Sequence, residues 1–487
     1  MEDHEILEGV LDEFGKLAAI PRKSGHEKKV SDFLRGYLAD LGLRVVQDEV
    51  FNIIADQAAT RGFEHAPLTI LQGHMDMVCI AEHGHAYDPL KDPVKLRRTE
   101  EYLEAEGTSL GADDGIGVAE AVYIMKHAEK HGPLRLVVTV DEEAGMKGAA
   151  HLDKRYLEDA RFLINCDSEN FDELVVGSAG NASIDFVRRI NYVPLRSKQT
   201  WRLGVKGLKG GHSGERIGDG RGNAIRLLAS ALRALLDRGT VELVSFDGGK
   251  ARNAIPSDAA AIFATDIPEA EIRDTLVEQE QRFLRMYSPS DEAHFLLEET
   301  GMAGQAFSEE DALCLLRLIR ILHSGVYAMS QIHPGLVETS MNLGTASTGD
   351  GLISLECLPR SSKDEAVEEF CRTAEDMAAL AGFSARIATK SPGWQEKKDS
   401  VLTKLVAETF HRQTGKSMRI APIHAGLECG WYFRKNPELD IVSIGPTTLN
   451  IHSPRERLVL STVTPQVRLI DAVLRRIAEM KEGGEKI

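Results

Sequence analysis

The chain has 487 residues, of which 43% are hydrophobic and 27% charged, a composition that excludes a disordered tail and an integral membrane protein. Its 58 Lys and Arg residues against 75 Asp and Glu residues give a net charge of −17, which argues against general nucleic-acid binding because phosphate backbones are repelled. At about 150 residues per domain, the length alone predicts roughly three domains.

The six cysteines are dispersed, and no two of them form a CxxC pair. Free thiols in this pattern are typical of a reducing compartment. The acidic start at 1–4 lacks the basic and apolar regions of a signal peptide. The longest apolar runs, such as 134–140, are far shorter than the ~20 residues that span a bilayer. We therefore expect a cytoplasmic protein that binds neither membranes nor nucleic acids.

The first part of the chain alternates between helical and strand patterns. Spacing of apolar residues and β-branched runs predict, in order, helices over 5–20 and 27–42, a strand over 69–73, a helix over 117–127, and strands over 134–140 and 162–166. Such alternation indicates an α/β domain with a mixed, mostly parallel sheet and helices on both faces.

From about residue 185 the pattern changes to that of an α+β domain. The predicted elements are strands over 199–206, 240–247 and 258–266 and helices over 222–238 and 268–287. A helix near 399–414, a strand over 439–444 and a final helix near 463–481 then restore the first pattern. We therefore predict two domains: an α/β domain formed by 1–188 and 391–487, and an inserted α+β domain, the lid domain, formed by 189–390.

Possible metal ligands follow the predicted strands of the first domain. They are His74 and Asp76, Asp113 at the start of the next helix, Glu142 and Glu143, Asp167, and the distant His452. Each has an ordinary explanation taken singly: a capping histidine, a helix N-cap, or solvated surface acids. Because ligands of such sheets gather at the carboxyl ends of the strands, five strand ends that all carry His, Asp or Glu predict a metal site.

The mixture of imidazole and carboxylate groups favours zinc or manganese, and the lack of clustered thiolates argues against iron–sulfur clusters. Five ligand groups are too many for one tetrahedral zinc ion. Two ions about 3.5–4 Å apart, bridged by one carboxylate, would use all of them and would activate a water molecule. The adjacent Glu142 and Glu143 offer a ligand and a free base side by side.

These motifs resemble those of the dizinc aminoacylase/carboxypeptidase family of peptidases. The resemblance rests on His74-x-Asp76, Gly-Ala-Asp113-Asp-Gly, Asp-Glu142-Glu143-x-Gly, Asp167 and His452. The segments 71–78, 210–214, 252–256 and 424–430 narrow it to the dipeptidases of that family. The resemblance extends from about residue 5 to residue 480.

The resemblance implies a role for each of these residues. His74 and Asp167 would hold one zinc ion, Glu143 and His452 the other, and Asp113 would bridge the two. Asp76 would orient the imidazole of His74. Glu142 would act as general base and then as general acid.

The resemblance also implies substrate contacts. His212, on a Gly-Gly-His turn, would stabilise the oxyanion in its own or the partner subunit's site. Asn253 would be a polar contact, Arg360 would pair with the substrate's C-terminal carboxylate, and Glu428 would meet its free amine. Without the resemblance, His212 would be explained as part of a turn and Arg360 as a surface residue.

The implied activity is that of a metallopeptidase that hydrolyses unblocked dipeptides, Xaa-His and others, through a dizinc-bound hydroxide. Two Zn²⁺ ions per subunit are implied, with Mn²⁺ or Co²⁺ as possible substitutes, and a homodimer through the lid domain. Two alternatives stay open. One is a deacylase of N-acylated amino acids, which shares the metal ligands, and the other is a non-catalytic binding protein, which the complete ligand set disfavours.

Overall fold

The computed structural model of this protein describes residues 2–287, 291–301 and 303–480. Within this range the chain divides into two compact units. The first unit contains residues up to 178 together with 394–423 and the residues from 427 onward. The second unit contains 179–393 and the short segment 424–426.

The first unit begins with alternating helices and strands, as expected. Its elements before the insertion are α1 (Asp3–Ala18), α2 (Lys28–Asp40), β1 (Arg44–Gln47), β2 (Ile53–Gln57), β3 (Leu68–His74), β4 (Leu96–Arg98), β5 (Tyr102–Ala105), α3 (Ala112–His127), β6 (Leu134–Thr139), α4 (Glu142–Gly145), α5 (Lys147–His151), β7 (Ala160–Asn165) and β8 (Glu173–Val175).

The second unit consists mostly of antiparallel strands and longer helices. Its elements are β9 (Gly180–Arg189), β10 (Tyr192–Pro194), β11 (Gln199–Lys206), β12 (Gly211–His212), α6 (Ser213–Arg216), α7 (Ala224–Leu236), β13 (Val241–Gly248), β14 (Ala254–Ile255), β15 (Ala259–Thr265), α8 (Glu269–Met286), β16 (His294–Glu299), β17 (Gln305–Phe307), α9 (Glu309–Ile321), β18 (Gly325–Met329), β19 (Val337–Gly349), β20 (Leu352–Ser361), α10 (Asp364–Ala381) and β21 (Ser384–Ser391).

The chain then returns to the first unit. The elements of this last part are α11 (Val401–Thr414), β22 (Arg419–Ala421), α12 (Cys429–Lys435), β23 (Asp440–Ser443), β24 (Thr448–Leu449), β25 (Arg457–Val459) and α13 (Val463–Ala478). No helix in the described ranges has the length and apolar character needed to cross a membrane.

The main sheet of the first unit has the strand order β1-β2-β6-β3-β7-β23-β8-β22. Its central strands β6, β3, β7 and β23 run parallel, and the antiparallel pairs lie toward the two ends. The sheet is therefore mixed, and parallel at its centre, as the sequence predicted.

Alternate residues of the central strands enter two different hydrophobic cores. Leu71 and Val442 belong to the core that contains apolar residues of α1, α2, α3, α11 and α13. Their neighbours Ile70 and Ile441 belong to a smaller core that contains residues of α5 and α12. Because successive side chains of a strand point to opposite faces, this division places helices on both faces, which confirms the predicted α/β class.

The large sheet of the second unit has the order β16-β11-β15-β13-β19-β20-β9-β21, and β18 also pairs with β19. Helices α7 to α10 contribute to the same core as the apolar residues of this sheet. Since β9 pairs with β20 and β21, residues 180–189 belong to the second unit, whereas the predicted boundary at 188/189 assigned most of them to the first.

Several elements differ from the sequence-based expectation. The helix predicted over 117–127 is assigned from Ala112, but the backbone of Asp113 and Asp114 is not helical, so the regular part of α3 begins after Asp114. The long hairpin of β19 and β20 and the helices α9 and α10 were not predicted. The final helix, predicted near 463–481, is described to Ala478, and residue 481 lies outside the described range.

Candidate metal centre

The parallel strands at the middle of the first sheet bring the predicted ligands to one edge. His74 ends β3 and pairs in register with Thr139 near the end of β6. In the same way, Gln72 of β3 pairs with Asn165, the last residue of β7. The residues that follow β6 and β7, including Glu142 and Asp167, therefore emerge beside His74.

The first group of possible ligand atoms surrounds the imidazole of His74. Its Nε2 lies 3.1 Å from Oδ1 of Asp113 and 3.6 Å from Oδ1 of Asp167. These three residues can each offer one atom within a mutual distance of 4.8 Å. His74 is buried, and the two carboxylates are nearly so.

The second group surrounds His452. Its Nε2 lies 3.0 Å from Oδ2 of Asp113 and 2.8 Å from Oε1 of Glu143. Asp113 thus faces both histidines, each with a different carboxylate oxygen. This is the arrangement expected of a bridging carboxylate.

The distances in both groups fit zinc coordination. Around a tetrahedral zinc ion with bonds of about 2.0–2.1 Å, neighbouring ligand atoms lie about 3.3 Å apart. The distances from the imidazoles of His74 and His452 to the carboxylates range from 2.8 to 3.6 Å. The chemistry of the donors, imidazole with carboxylate, also suits such an ion.

The charges of the carboxylates act strongly on the two imidazoles. Burial opposes protonation of His74, but the charge of Asp167 and a hydrogen bond with Asp113 raise the pKa of His74 well above its ordinary value. Burial also opposes protonation of His452, but hydrogen bonds with Asp113 and Glu143 raise its pKa to about 11. The centre therefore attracts positive charge, whether that of protons or of metal ions.

Asp76 connects the end of β3, which carries His74, with the loop after β6. Its Oδ1 lies 3.4 Å from Nδ1 of His74. Its two oxygens accept hydrogen bonds from the backbone N–H groups of Glu142 at 3.1 Å and Glu143 at 3.3 Å, and the hydroxyl of Ser24 donates another at 2.8 Å. One buried carboxylate thus lies beside the imidazole of His74 and accepts hydrogen bonds from the backbone of both glutamates.

Glu142 lies outside these two groups, but with His74 and Glu143 it forms a third group that could hold a metal ion. One of its carboxylate oxygens comes within 4.8 Å of ligand atoms of His74 and Glu143. Burial, assisted by the charges of neighbouring acids, raises the pKa of the Glu142 carboxyl well above its ordinary value. A carboxyl in such surroundings holds a proton more readily than an exposed one, as a general acid or base must.

Asp114 has a structural role that the sequence did not reveal. Its side chain is buried, and Oδ2 accepts a hydrogen bond of 3.1 Å from the backbone N–H of His74. A Cβ atom on Gly73 or Gly117 would approach an oxygen of this carboxylate to 2.3 or 2.2 Å. The two glycines therefore leave the space that lets Asp114 hold the end of β3.

Glu428 is fully buried beneath this edge of the sheet. Its Oε2 accepts hydrogen bonds from Gln72 and Thr139 at 2.6 Å and from Tyr432 at 3.3 Å. Burial raises the pKa of Glu428 to about 7. The predicted contact with a substrate amine stays a prediction, and only Oε1, which has no hydrogen-bond partner in the described part of the chain, is available for it.

The second unit holds the remaining predicted residues, and it places two of them side by side. His212 of β12 pairs with Ala254 of β14. The backbone carbonyl of Asn253 accepts a hydrogen bond of 2.8 Å from the N–H of Ser213. Asn342 of β19 donates to the carbonyls of Arg252 and Ala254 and so holds the Asn253 turn.

Arg360 is buried in the same unit. The alternative explanation, that it is a surface arginine, is therefore wrong. It pairs in register with Ser340 across β19 and β20. The described residues form no ion pair with its guanidinium, and burial lowers the pKa of Arg360 to about 10. A buried cation without an acidic partner is costly, and the predicted contact of Arg360 with a substrate carboxylate stays a prediction.

His424 joins this cluster, although no role was predicted for it. Its Nε2 lies 2.7 Å from Oγ of Ser340. Burial, together with the positive charges of Arg360 and His212, lowers the pKa of His424 to about 3. The motif at 424–430 was visible in the sequence, but only the fold shows that residues 424–426 belong to the second unit. We call His212, Asn253, Ser340, Arg360 and His424 the second-unit polar cluster.

The chain is similar to known dipeptidases over nearly its whole length. The chain is 36% identical over 473 residues to the cytosol non-specific dipeptidase of Escherichia coli (strain K12), covering 96% of this chain and 97% of that protein. The crystal structure of aminoacylhistidine dipeptidase from Vibrio alginolyticus matches with a TM-score of 0.81 and 32% identity, covering 98% of this chain and 97% of that one. Both results confirm the resemblance found in the motifs.

Human carnosine dipeptidase 1 shares the fold, with a TM-score of 0.55 and 14% identity over 98% of each chain. The family model described as Peptidase family M20/M25/M40 matches residues 70–476. That range includes every predicted site residue. The chain therefore belongs to peptidase family M20/M25/M40.

Proposed function

We propose that this protein is a dipeptidase that works with two divalent metal ions, zinc in the first place and Mn²⁺ or Co²⁺ as substitutes. The observation that carries the proposal is that Asp113 directs one oxygen at His74 and the other at His452. Similarity to the cytosol non-specific dipeptidase and to aminoacylhistidine dipeptidase supports the substrate class.

In this proposal His74 and Asp167 would hold one ion and Glu143 and His452 the other, and Asp113 would contribute to both. Bound ions of this kind polarise a carbonyl group and lower the pKa of water, so that a nucleophile forms near neutral pH. The donors need no large rearrangement, since their distances already fit such ions.

Glu142 is the proton carrier in this proposal. It accepts the proton of the attacking water and later donates it to the leaving amine. Its position beside His74 and Glu143, its raised pKa and its backbone hydrogen bond to Asp76 support this role. Asp76 serves as a positioning residue, because it holds His74 and the glutamate loop together.

The second-unit polar cluster recognises the substrate in this proposal. Arg360 pairs with the C-terminal carboxylate of the dipeptide, because its buried guanidinium has no acidic partner within the described residues. His212 stabilises the oxyanion that forms at the scissile carbonyl, in its own or the partner subunit's site. Asn253 supplies a further polar contact beside His212.

We also propose a cytoplasmic homodimer that assembles through the second unit. The six free cysteines are consistent with a reducing compartment. The strands β16 and β18 carry exposed apolar side chains, among them Leu296, Tyr327 and Met329. Light scattering coupled to gel filtration tests the assembly: a monomer at micromolar concentration would contradict it.

The decisive experiment is hydrolysis of a panel of peptides after reconstitution with zinc. We expect cleavage of unblocked dipeptides, including Xaa-His, and little cleavage of tripeptides or N-blocked dipeptides. N-acetylated amino acids serve as the control for a deacylase. Cleavage of the acetylated compounds without cleavage of dipeptides would overturn the proposed function.

A further inference from the structure

Glu456 lies four residues after His452 and is almost fully buried. Its carboxylate accepts hydrogen bonds from four consecutive backbone N–H groups. Oε2 accepts from Leu110 at 2.8 Å and Gly111 at 2.9 Å, and Oε1 accepts from Ala112 at 2.8 Å and Asp113 at 3.3 Å. One side chain thus accepts hydrogen bonds from every backbone N–H group of the segment 110–113.

This segment has no local substitute for Glu456. The first N–H groups of a helix lack partners within the helix and need an external acceptor. The N-cap position of α3 is Gly111, which has no side chain to provide one. Asp113 and Asp114 would ordinarily cap such a helix, but their carboxylates are directed at the two histidines and at the backbone of His74.

Glu456 is also firmly connected to His452. In the loop 450–456, the hydroxyl of Ser453 donates to the carbonyl of Asn450 at 2.7 Å. The same hydroxyl accepts from the N–H of Arg455 at 3.2 Å, and the N–H of Glu456 donates to the carbonyl of Ser453 at 3.1 Å. Movement of Glu456 would therefore move His452 with it.

Arg22 holds the same segment from another direction. Its buried guanidinium donates to the carbonyls of Met75 and Asp76 at 3.1 Å and to the carbonyl of Gly111. It thereby ties the segment 110–113 to the end of β3, which carries His74. Glu456 provides the corresponding tie to His452, so each histidine is connected to Asp113 by one buried charged side chain.

We infer that Glu456 is a positioning residue that holds Asp113 and His452 in register, so that the Asp113 carboxylate keeps one oxygen toward His74 and the other toward His452. The inference rests on the proposed two-metal function and adds a residue to which neither the motifs nor the ligand set assigns a role. Partners that orient metal ligands typically contribute about 10-fold to 100-fold in metal affinity.

The test is zinc binding by Glu456→Gln, measured by competition with a chromophoric chelator. A glutamine side chain keeps one acceptor oxygen and turns an NH₂ group toward the other pair of N–H groups, so two of the four hydrogen bonds are lost. We expect zinc affinity to fall about 10-fold to 100-fold. The zinc concentration for half-maximal activity should rise in parallel, and activity should recover as zinc saturates.

Glu242→Gln is the matched control. Glu242 is a buried glutamate of the second unit that accepts hydrogen bonds from the backbone N–H groups of Arg196 and Ser197. We expect this variant to lose thermal stability without any change in zinc affinity. If Glu456→Gln behaves in the same way, its role is only structural and the inference is overturned.

If Glu456→Gln does not fold, Ser453→Ala decides the question. Ser453 is not part of the core, and its substitution loosens the loop between His452 and Glu456 while leaving the carboxylate in place. A reduced zinc affinity supports the inference, and an unchanged affinity overturns it. Failure of the wild-type protein to bind two zinc ions would overturn the proposed function itself, whereas two ions bound equally well by wild type and variant would overturn only the role of Glu456.

Discussion

The candidate metal centre of the first unit and the second-unit polar cluster bury groups of opposite charge. The centre holds carboxylates in excess over imidazoles, and those carboxylates raise the pKa of both His74 and His452. The second-unit cluster holds the guanidinium of Arg360 without an acidic partner in the described residues, and its charge helps to lower the pKa of His424. The first region therefore has unbalanced negative charge, and the second has unbalanced positive charge. Under the proposed function, the first region would hold the metal ions and the second would pair with the substrate carboxylate.

The largest effect should come from Glu142→Gln in the first region. The glutamine cannot carry a proton, so we expect turnover to fall about 10³-fold while both zinc ions stay bound. Glu143→Gln is the matched variant, because it removes a proposed ligand and should lose zinc. Metal analysis combined with dipeptide hydrolysis separates the two. Normal turnover in Glu142→Gln would remove this residue from the mechanism.

A substitution in the second region should affect substrate binding without affecting the metals. For Arg360→Met we expect kcat/KM to fall about 10-fold to 100-fold, which corresponds to the loss of hydrogen bonds to a charged group. Zinc content should be unchanged, and thermal stability should not decrease, because the methionine removes a buried charge that has no partner. Arg360→Lys should be intermediate, since lysine keeps the charge but not the two-pronged geometry. An unchanged kcat/KM in Arg360→Met would contradict the predicted carboxylate contact.

Zinc binding should release protons, because the metal-free centre holds them. With a pKa raised to about 11, His452 is protonated at neutral pH in the metal-free protein and must lose that proton to bind zinc. Zinc affinity should therefore fall as the pH is lowered. Calorimetry at pH 7 in buffers of different ionisation enthalpy should show release of about one proton or more. The Arg360→Met variant should release the same number of protons on binding zinc. A heat of zinc binding that does not depend on the buffer would contradict the prediction.

The smallest effect concerns a carboxyl of the first unit that lies outside the centre. Glu120 of α3 is fully buried, and neither of its oxygens has a hydrogen-bond partner in the described part of the chain. Burial raises the pKa of Glu120 well above its ordinary value of 4.5. Because the folded state keeps this proton and the unfolded state releases it above that value, the free energy of unfolding should fall as the pH rises.

We therefore expect Glu120→Gln to weaken this pH dependence and to raise the free energy of unfolding at neutral pH by about 1 kcal/mol. The matched control is Glu13→Gln, since Glu13 is equally buried but accepts hydrogen bonds from Tyr37 and Lys126. That variant should be destabilised. Denaturant unfolding at several pH values measures the free energy of unfolding of both variants. Destabilisation of Glu120→Gln to the same extent would show that Glu120 has a partner in solution.

Much of the first unit follows from local pattern. The strands β3, β6 and β7 are apolar runs whose alternate residues enter two cores, and their ends carry His74, Glu142 and Asp167. The antiparallel hairpin of β19 and β20 was not predicted, because its mostly buried strands mix polar and apolar residues without a clear period. The side chains of Ser340 and Arg360 are brought opposite each other only by that pairing.

The sequence by itself determined the α/β class and the family to which the chain belongs, because these depend on local periodicity and on motifs at strand ends. Only the tertiary structure decided which side chains support the ligands. Glu456 meets the N–H groups of Leu110 to Asp113, and Glu428 meets Gln72, across more than 300 residues of chain. Such contacts leave no local pattern, since a buried glutamate far along the chain looks the same in sequence as a solvated one. Their hydrogen bonds exist only once the strands are assembled into the sheet.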